Sequence, residues 1–185
     1  MTKDAVKEIV KDCRKIREDL ENLLREMEES FFTEGTVRDD GFYLDFKIQG
    51  DEAFRTARFN TGLAVGLALP ETEFEDLGTR GLIRVDTRGY PVTTKTGQTK
   101  ARYGEVDLVF PGGSYPDRSV QGVPVIGLDL YPLGSAHPSS SIGYGLLKRL
   151  QEIYGGVELY LGRSDFAIFV APISERRRRP AQSEF

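Results

Sequence analysis

The chain has 185 residues, of which 39% are hydrophobic and 29% charged, with a formal net charge of −4. This is the composition of one globular domain with a real core, and no apolar run reaches the length needed to cross a bilayer. One cysteine excludes an intramolecular disulfide, and the charged start Met1-Thr2-Lys3-Asp4 lacks the apolar segment of a secretory leader, so a cytoplasmic location and no membrane partner are expected.

From Lys3 to Phe31 there is no Gly or Pro, and Val6, Ile9, Cys13, Ile16, Leu20, Leu23 and Met27 recur three and four residues apart. The spacing predicts one long helix over 3–31. Val10 and Leu24 widen the apolar stripe to the breadth of a helix lying on its own sheet, with a coiled-coil seam as the alternative. Lys3, Lys7, Lys11, Arg14, Lys15 and Arg17 precede Glu18, Asp19, Glu21, Glu26, Glu28 and Glu29, an order that opposes the helix macrodipole. Antiparallel pairing with a second copy would cancel that conflict, so a homodimer or another protein partner through this helix is expected. Cys13 lies on the stripe, where a small buried apolar residue is expected rather than a reactive thiol.

After Asp39-Asp40-Gly41, the residues Phe42, Leu44, Phe46 and Ile48 alternate with Tyr43, Asp45 and Lys47, the period of a half-buried strand. Residues 51–69 fit a short helix or a strand equally. Leu82 to Thr87 reads as a strand, "TTKTGQTK" as a turn or loop, Glu105 to Phe110 as a strand, and "PGGSYPDRSVQG" as a loop. The strand "VPVIGLDLY" follows, then a helix from about Ile142 to Tyr154 closed by Gly155 and Gly156. Two more strands, "VELYL" and "FAIFVAPI", complete the pattern. The expected organisation is a single α/β domain over 1–174 with a disordered basic tail over 175–185, which contains Arg176 to Arg179. The fold class is α+β with an α/β-like core: a long N-terminal helix and a mixed central sheet flanked by helices.

Charge is unevenly placed. Residues 79–103 carry Arg80, Arg84, Arg88, Lys95, Lys100 and Arg102 against Asp86 alone, interleaved with Tyr90 and Tyr103. Such a segment suits a nucleic-acid backbone through phosphate contacts and stacking, or else forms a solvated hairpin. Two central strands each carry one unexpected acid, Asp107 in "GEVDLVF" and Asp129 in "VIGLDLY". If neighbouring strands bring them together, a cation must compensate their repulsion, and hard oxygen ligands of this kind suit Mg²⁺ or Mn²⁺.

With Asp107 of "GEVDL" and Asp129 of "GLDLY" 22 residues apart, the chain resembles the PD-(D/E)xK nuclease superfamily over about residues 80–171. The resemblance implies a restriction-endonuclease-like core and a magnesium-dependent nuclease, a hydrolase of phosphodiester bonds, with Asp107 and Asp129 as metal ligands. The family's motif lysine is Tyr131 here, which brings no cation; Lys148 on the following helix is the candidate replacement. Gln151 and Tyr154 look like a pair found on that helix in one branch, one residue short in spacing. Glu105 and Glu29 are further candidate ligands. Asp45 and Lys47 repeat the acid-x-lysine pattern as a reserve site, although an exposed charged strand face explains them as well. His137 beside Ser139, Ser140 and Ser141 matches a helix start better than a catalytic motif.

Three functions follow from these observations: a metal-dependent nuclease using Asp107, Asp129 and Lys148; a catalytically inactive nucleic-acid-binding or assembly subunit of the same fold; and a helix-mediated protein-interaction or oligomerisation module.

Overall fold

The computed structural model describes residues 3–94, 97–128 and 140–170. In chain order the elements are α1 (Lys3–Ser30), β1 (Phe31–Arg38), β2 (Gly41–Ile48), β3 (Arg55–Asn60), β4 (Leu67–Pro70), α2 (Glu71–Thr79), β5 (Ile83–Thr94), β6 (Gly97–Phe110), β7 (Arg118–Leu128), β8 (Ser141–Gly143), α3 (Tyr144–Tyr154), β9 (Val157–Leu161) and β10 (Asp165–Val170). The class is α+β, with a mixed sheet, as expected. Among the described residues no helix is long and apolar enough to cross a membrane.

The sheet order is β5-β6-β7-β4-β8-β3-β2-β1-β10-β9, with an additional pairing of β6 and β2. That pairing sets Lys47 opposite Val109 and Ile48 opposite Leu108, and it closes β2, β3, β8, β4, β7 and β6 into a hydrogen-bonded ring. Closure works because β2 changes partner along one edge. Residues 41–44 pair with β1 and residues 47–48 with β6, while β3 pairs with residues 43–46 on the other edge. The β3–β8 and β4–β7 pairs are parallel, and the other four pairs of the ring are antiparallel.

Strand alternation fills the interior. Leu44, Phe46 and Ile48 of β2 and Val106, Leu108 and Phe110 of β6 are buried, while Tyr43, Asp45 and Lys47 face outward, the period-two pattern of a sheet packed on one side. Helix α2 adds Phe74 and Leu77 to this core and α3 adds Leu146 and Leu150. Helix α2 was not legible in the sequence beforehand. It follows Pro70, carries Glu71 and Glu73 in its first turn where acids favour the dipole, and stops at Gly81, whose φ is 73°. There the Leu82 N–H donates to Leu77 O and the Gly81 N–H to Gly78 O, the paired bonds of a Schellman stop.

Four sequence-based boundaries move. The ambiguous span 51–69 contains β3 and β4. "TTKTGQTK" is mostly ladder: Thr94 pairs with Gly97 and Pro91 with Lys100, so β5 and β6 continue as a long hairpin; Lys95 and Thr96 lie outside the described residues. β7 begins at Arg118 inside the expected loop, and α3 begins at Tyr144 because Ser141–Gly143 is taken up as β8. The tail 175–185 is outside the described residues.

The larger correction concerns α1. It does not lie on the sheet; every residue from Glu8 to Glu29 is exposed. The reason is local. The helix ends at Ser30 and Phe31 begins β1 with no linker, and Phe31, Phe32 and Thr33 are buried at once, so no turn exists to fold the helix back. The helix end is fastened by Arg118, whose guanidinium donates to the carbonyls of Glu28 at 2.8 Å, Glu29 at 3.2 Å and Phe31 at 3.3 Å. α1 has no basic residue in its last turn, so Arg118 supplies from β7 the cation that the C-terminal end of the dipole favours. The Phe31 ring sits 4.8 Å from that of Tyr115 and 5.6 Å from that of Phe169.

A second polar junction ties α2 to the ring. Asp51 accepts from Arg55 at 2.8 Å and Arg80 at 3.0 Å, while Arg55 also binds Glu73 at 2.6 Å and Arg80 binds Asp76 at 3.3 Å. The Arg80 and Arg55 hydrogen bonds hold the Asp51 carboxyl at about 2, below its ordinary 3.8. A carboxyl depressed on folding contributes stability that is present above its unfolded value and lost as pH falls through the folded one. Urea unfolding should therefore weaken between about pH 4 and pH 2. Asp51→Asn should cost on the order of 1–3 kcal/mol at pH 7 and flatten that acid slope. An unchanged slope would show that the junction contributes nothing.

Candidate functional site

The acid that interrupts "GEVDLVF" sits at the seam of the ring. Between Val106 and Leu108, β6 advances two residues while β7 advances three, from Val123 to Val120. The surplus residue makes a β-bulge, and Gly122 within it takes φ 65°, a left-handed conformation that glycine adopts without penalty. A bulge leaves one amide without a ladder partner. Here the Gly122 N–H donates to Asp107 Oδ1 at 2.8 Å.

Asp107 makes further connections. Arg84 of β5 reaches both carboxylate oxygens, Nη2 to Oδ1 at 3.0 Å and Nη1 to Oδ2 at 3.3 Å. It also approaches Glu105 at 3.5 Å. The Asp107 carbonyl accepts from the Gln49 N–H, one residue beyond β2, at 2.8 Å. One residue thus joins β2, β5, β6 and β7. The Arg84 hydrogen bonds hold its carboxyl below the usual carboxylate value, against the opposing effect of burial and with help from the Gly122 amide. Arg149 of α3 lies close by, donating to Gln121 O at 3.1 Å and pairing with Glu152 at 3.2 Å. A shallow depression of about 520 Å³ opens beside this junction, lined by Arg84, Asp86, Tyr103, Glu105 and Pro124 among others.

The glycines in both motif-like phrases have packing reasons. A Cβ at Gly104 would stand 2.7 Å from Ile83 Cγ2 and 2.8 Å from Arg84 O, and one at Gly127 would stand 2.7 Å from the Phe74 ring. They let β5 and α2 come close to the sheet.

Of the other expected site residues, Asp129, Tyr131, His137 and Ser139 lie outside the described residues. Asp107 is level with Gly122, and Leu128 at the described end of β7 is six residues farther along, roughly 20 Å at strand rise. Lys148 is exposed on α3, and it is its neighbour Arg149 that reaches β7. Glu29 meets Arg118 through its carbonyl at the end of α1. In the reserve site, Asp45 accepts from the Thr56 hydroxyl at 2.5 Å and the Lys47 ammonium sits 3.9 Å over the Phe54 ring, the contacts of a charged outer strand face.

At Asp107 both carboxylate oxygens are engaged by N–H donors, and the compensating cation is the Arg84 guanidinium. Among the described residues no group of three or more His, Cys, Asp or Glu side chains is placed to hold a metal ion. Four of the six cations in the basic segment have acidic partners. Arg80 pairs with Asp51 and Asp76, Arg84 with Asp107 and Glu105, Arg88 with Asp86 at 3.1 Å, and Arg102 with Glu75 at 2.9 Å. Most of these acids lie far from the arginines in sequence. Lys95 lies outside the described residues, and Lys100 stands on β6 opposite Pro91.

The residues that sequence reasoning missed are Arg118 and Gly122; Arg149 stands out in the sequence only beside Lys148, as a candidate phosphate contact. Gly122 alone left a local signal, as a glycine directly preceding an apolar strand run. If Asp107 fastens the bulge, Asp107→Ala strands the Gly122 amide and should lower unfolding free energy by about 1–3 kcal/mol. Asp107→Asn keeps an acceptor and should cost less. Equal stability of the alanine variant and the wild type in urea titrations would remove this role.

No protein-family model matches the chain, and no curated protein sequence matches it.

Proposed function

We propose that the protein is a helix-mediated self-association module, in which a closed β-ring fixes the direction of α1 and α1 joins copies of the chain. One observation carries this reading: the stripe predicted to be covered stands open. Ile9, Val10, Ile16, Leu20, Leu23, Leu24 and Met27 are between 44% and 65% exposed along one helix. A contiguous apolar surface of this kind marks an interaction site, and covering it contributes on the order of 1 kcal/mol for each half-exposed Leu or Ile side chain. The Arg118 clamp and the buried Phe31 support the reading, since they hold the helix base in one orientation. A fixed base reduces the ordering cost of association.

The nuclease reading, with its restriction-endonuclease-like core, needs Asp129, which lies outside the described residues, and an Asp107 released from the Arg84 pair. The nucleic-acid-binding reading needs Arg80, Arg84, Arg88 and Arg102 free for phosphates, and each of these four has an acidic partner.

Sedimentation velocity over a hundredfold range of concentration should reveal a concentration-dependent oligomer that Leu20→Asp converts to monomer while the far-ultraviolet spectrum of the sheet is kept. A wild type that stays monomeric at high concentration contradicts the proposal. In a separate assay with labelled DNA and RNA, wild type and Asp107→Asn/Asp129→Asn should give the same background in Mg²⁺, Mn²⁺ and EDTA. Metal-dependent cleavage lost in the double variant would restore the nuclease reading.

A further inference from the structure

The register of the stripe specifies how two copies meet, an inference that rests on the self-association reading. The three-and-four spacing is a heptad in which Val6, Cys13, Leu20 and Met27 occupy the a positions and Ile9, Ile16 and Leu23 the d positions. The flanking g positions are then Asp12, Asp19 and Glu26, and the flanking e positions are Lys3, Val10, Arg17 and Leu24.

In an antiparallel pair, g faces g and e faces e. In either near-complete antiparallel overlap Asp12 and Asp19 would meet acidic g residues of the second copy, and in one of the two Arg17 would meet Arg17. In a parallel pair, g faces the e position of the next heptad on the second copy. Asp12 then meets Arg17, Asp19 meets Leu24, and no like charges are opposed. Arg17 already shares its Nε with Glu21 at 2.9 Å, but a guanidinium has five N–H donors and can serve both acids.

The gross charge distribution argues the other way, because the basic half of α1 would lie beside its own copy in a parallel pair. Distance decides between the two effects. Lys7, Lys11, Arg14, Lys15, Glu18, Glu21, Glu28 and Glu29 fall at b, c and f, on the sides turned away from the seam. Their separation across the pair exceeds the screening length of about 8 Å at physiological ionic strength. The e and g side chains touch across the seam and are screened least. The unfavourable dipole end that antiparallel pairing would have relieved is met within each copy by Arg118.

We infer that α1 pairs with a second copy of this chain in parallel and in register, through a Val6-Ile9-Cys13-Ile16-Leu20-Leu23-Met27 seam flanked by Asp12–Arg17 contacts between copies. Both β-rings then emerge at the same end of the pair.

The chain's single cysteine reports the geometry directly. In-register parallel pairing sets Cys13 against Cys13 of the second copy at a separation that a disulfide can span, whereas an antiparallel pair offsets the two thiols along the axis. Copper phenanthroline and dissolved oxygen, acting as oxidant on two thiols with release of two protons, should cross-link the wild-type oligomer into a dimer reversible by dithiothreitol. Arg17→Gln provides an independent check with the native thiol present. Parallel pairing loses an attraction and the dissociation constant should rise roughly two- to tenfold; antiparallel pairing loses a repulsion and the constant should fall. An oligomer that resists cross-linking, or that tightens with Arg17→Gln, overturns the parallel arrangement while leaving self-association intact. A monomer at all concentrations defeats the underlying reading itself.

Discussion

The fold depends on one joint, where β2, β6 and β7 meet around Asp107. Its carbonyl receives the Gln49 N–H at the end of β2, and its carboxylate receives the Gly122 amide that the bulge in β7 withdraws from the ladder. Without that acceptor a half-buried amide would be left unsatisfied exactly where the ring closes on two residue pairs, Lys47 with Val109 and Ile48 with Leu108. The cost of an orphaned amide is comparable to the net worth of more than one ladder bond, so a single carboxylate has leverage over closure. Arg84 then ties β5 to the same point and balances the charge.

Closure has a consequence at the other end of β2. Because β2 leaves β1 to join β6, β1 is free to extend outward with β10 and β9, and its first residues carry the chain directly out of α1. The helix is thereby directed by the sheet instead of packing on it. Phe31 and Arg118 fix its base, and from Ile9 to Met27 its apolar stripe is exposed. Elsewhere the inward strand faces are filled, and no buried side-chain polar atom lacks a partner among the described residues. Leu159, Tyr160 and Leu161 on β9 are exposed as well, but the α1 stripe runs over about five turns of one helix, and function is assigned to it for that extent.

What could be read from the sequence follows from the range of the interactions involved. The alternation of Phe42, Leu44, Phe46 and Ile48 and the periodicity of α1 are local patterns, and both elements form where they were expected. The left-handed Gly155, at φ 93°, likewise ends α3 where the glycine pair suggested. Helix α2 and strands β3 and β4 are short, and their apolar residues are too few to set a period. The polar hairpin around residues 91–100 reads as a loop because its pairing is made by the backbone, to which side-chain polarity is a poor guide.

The functional signals were harder to read because their meaning lies in partners distant in sequence. Asp107 looked like half of a metal site, and only Gly122 and Arg84, 15 and 23 positions away, reveal its fastening role. The arginines of residues 80–102 look unpaired along the chain, and Asp51, Glu75 and Asp107 reach them only in the fold. The breadth of the helix stripe suggested docking on the sheet, since Val10 and Leu24 widen it; the direct passage from Ser30 to Phe31 prevents that, and the same two residues fall on a flank of the seam instead.

Hydrogen exchange measured as a function of protein concentration tests the central claim most directly. If α1 associates through its stripe, amides from residues 8–29 should gain protection as concentration rises, while those of β6 and β7 should exchange at a rate that concentration does not change. Helix amides that exchange equally fast at every concentration would contradict the account.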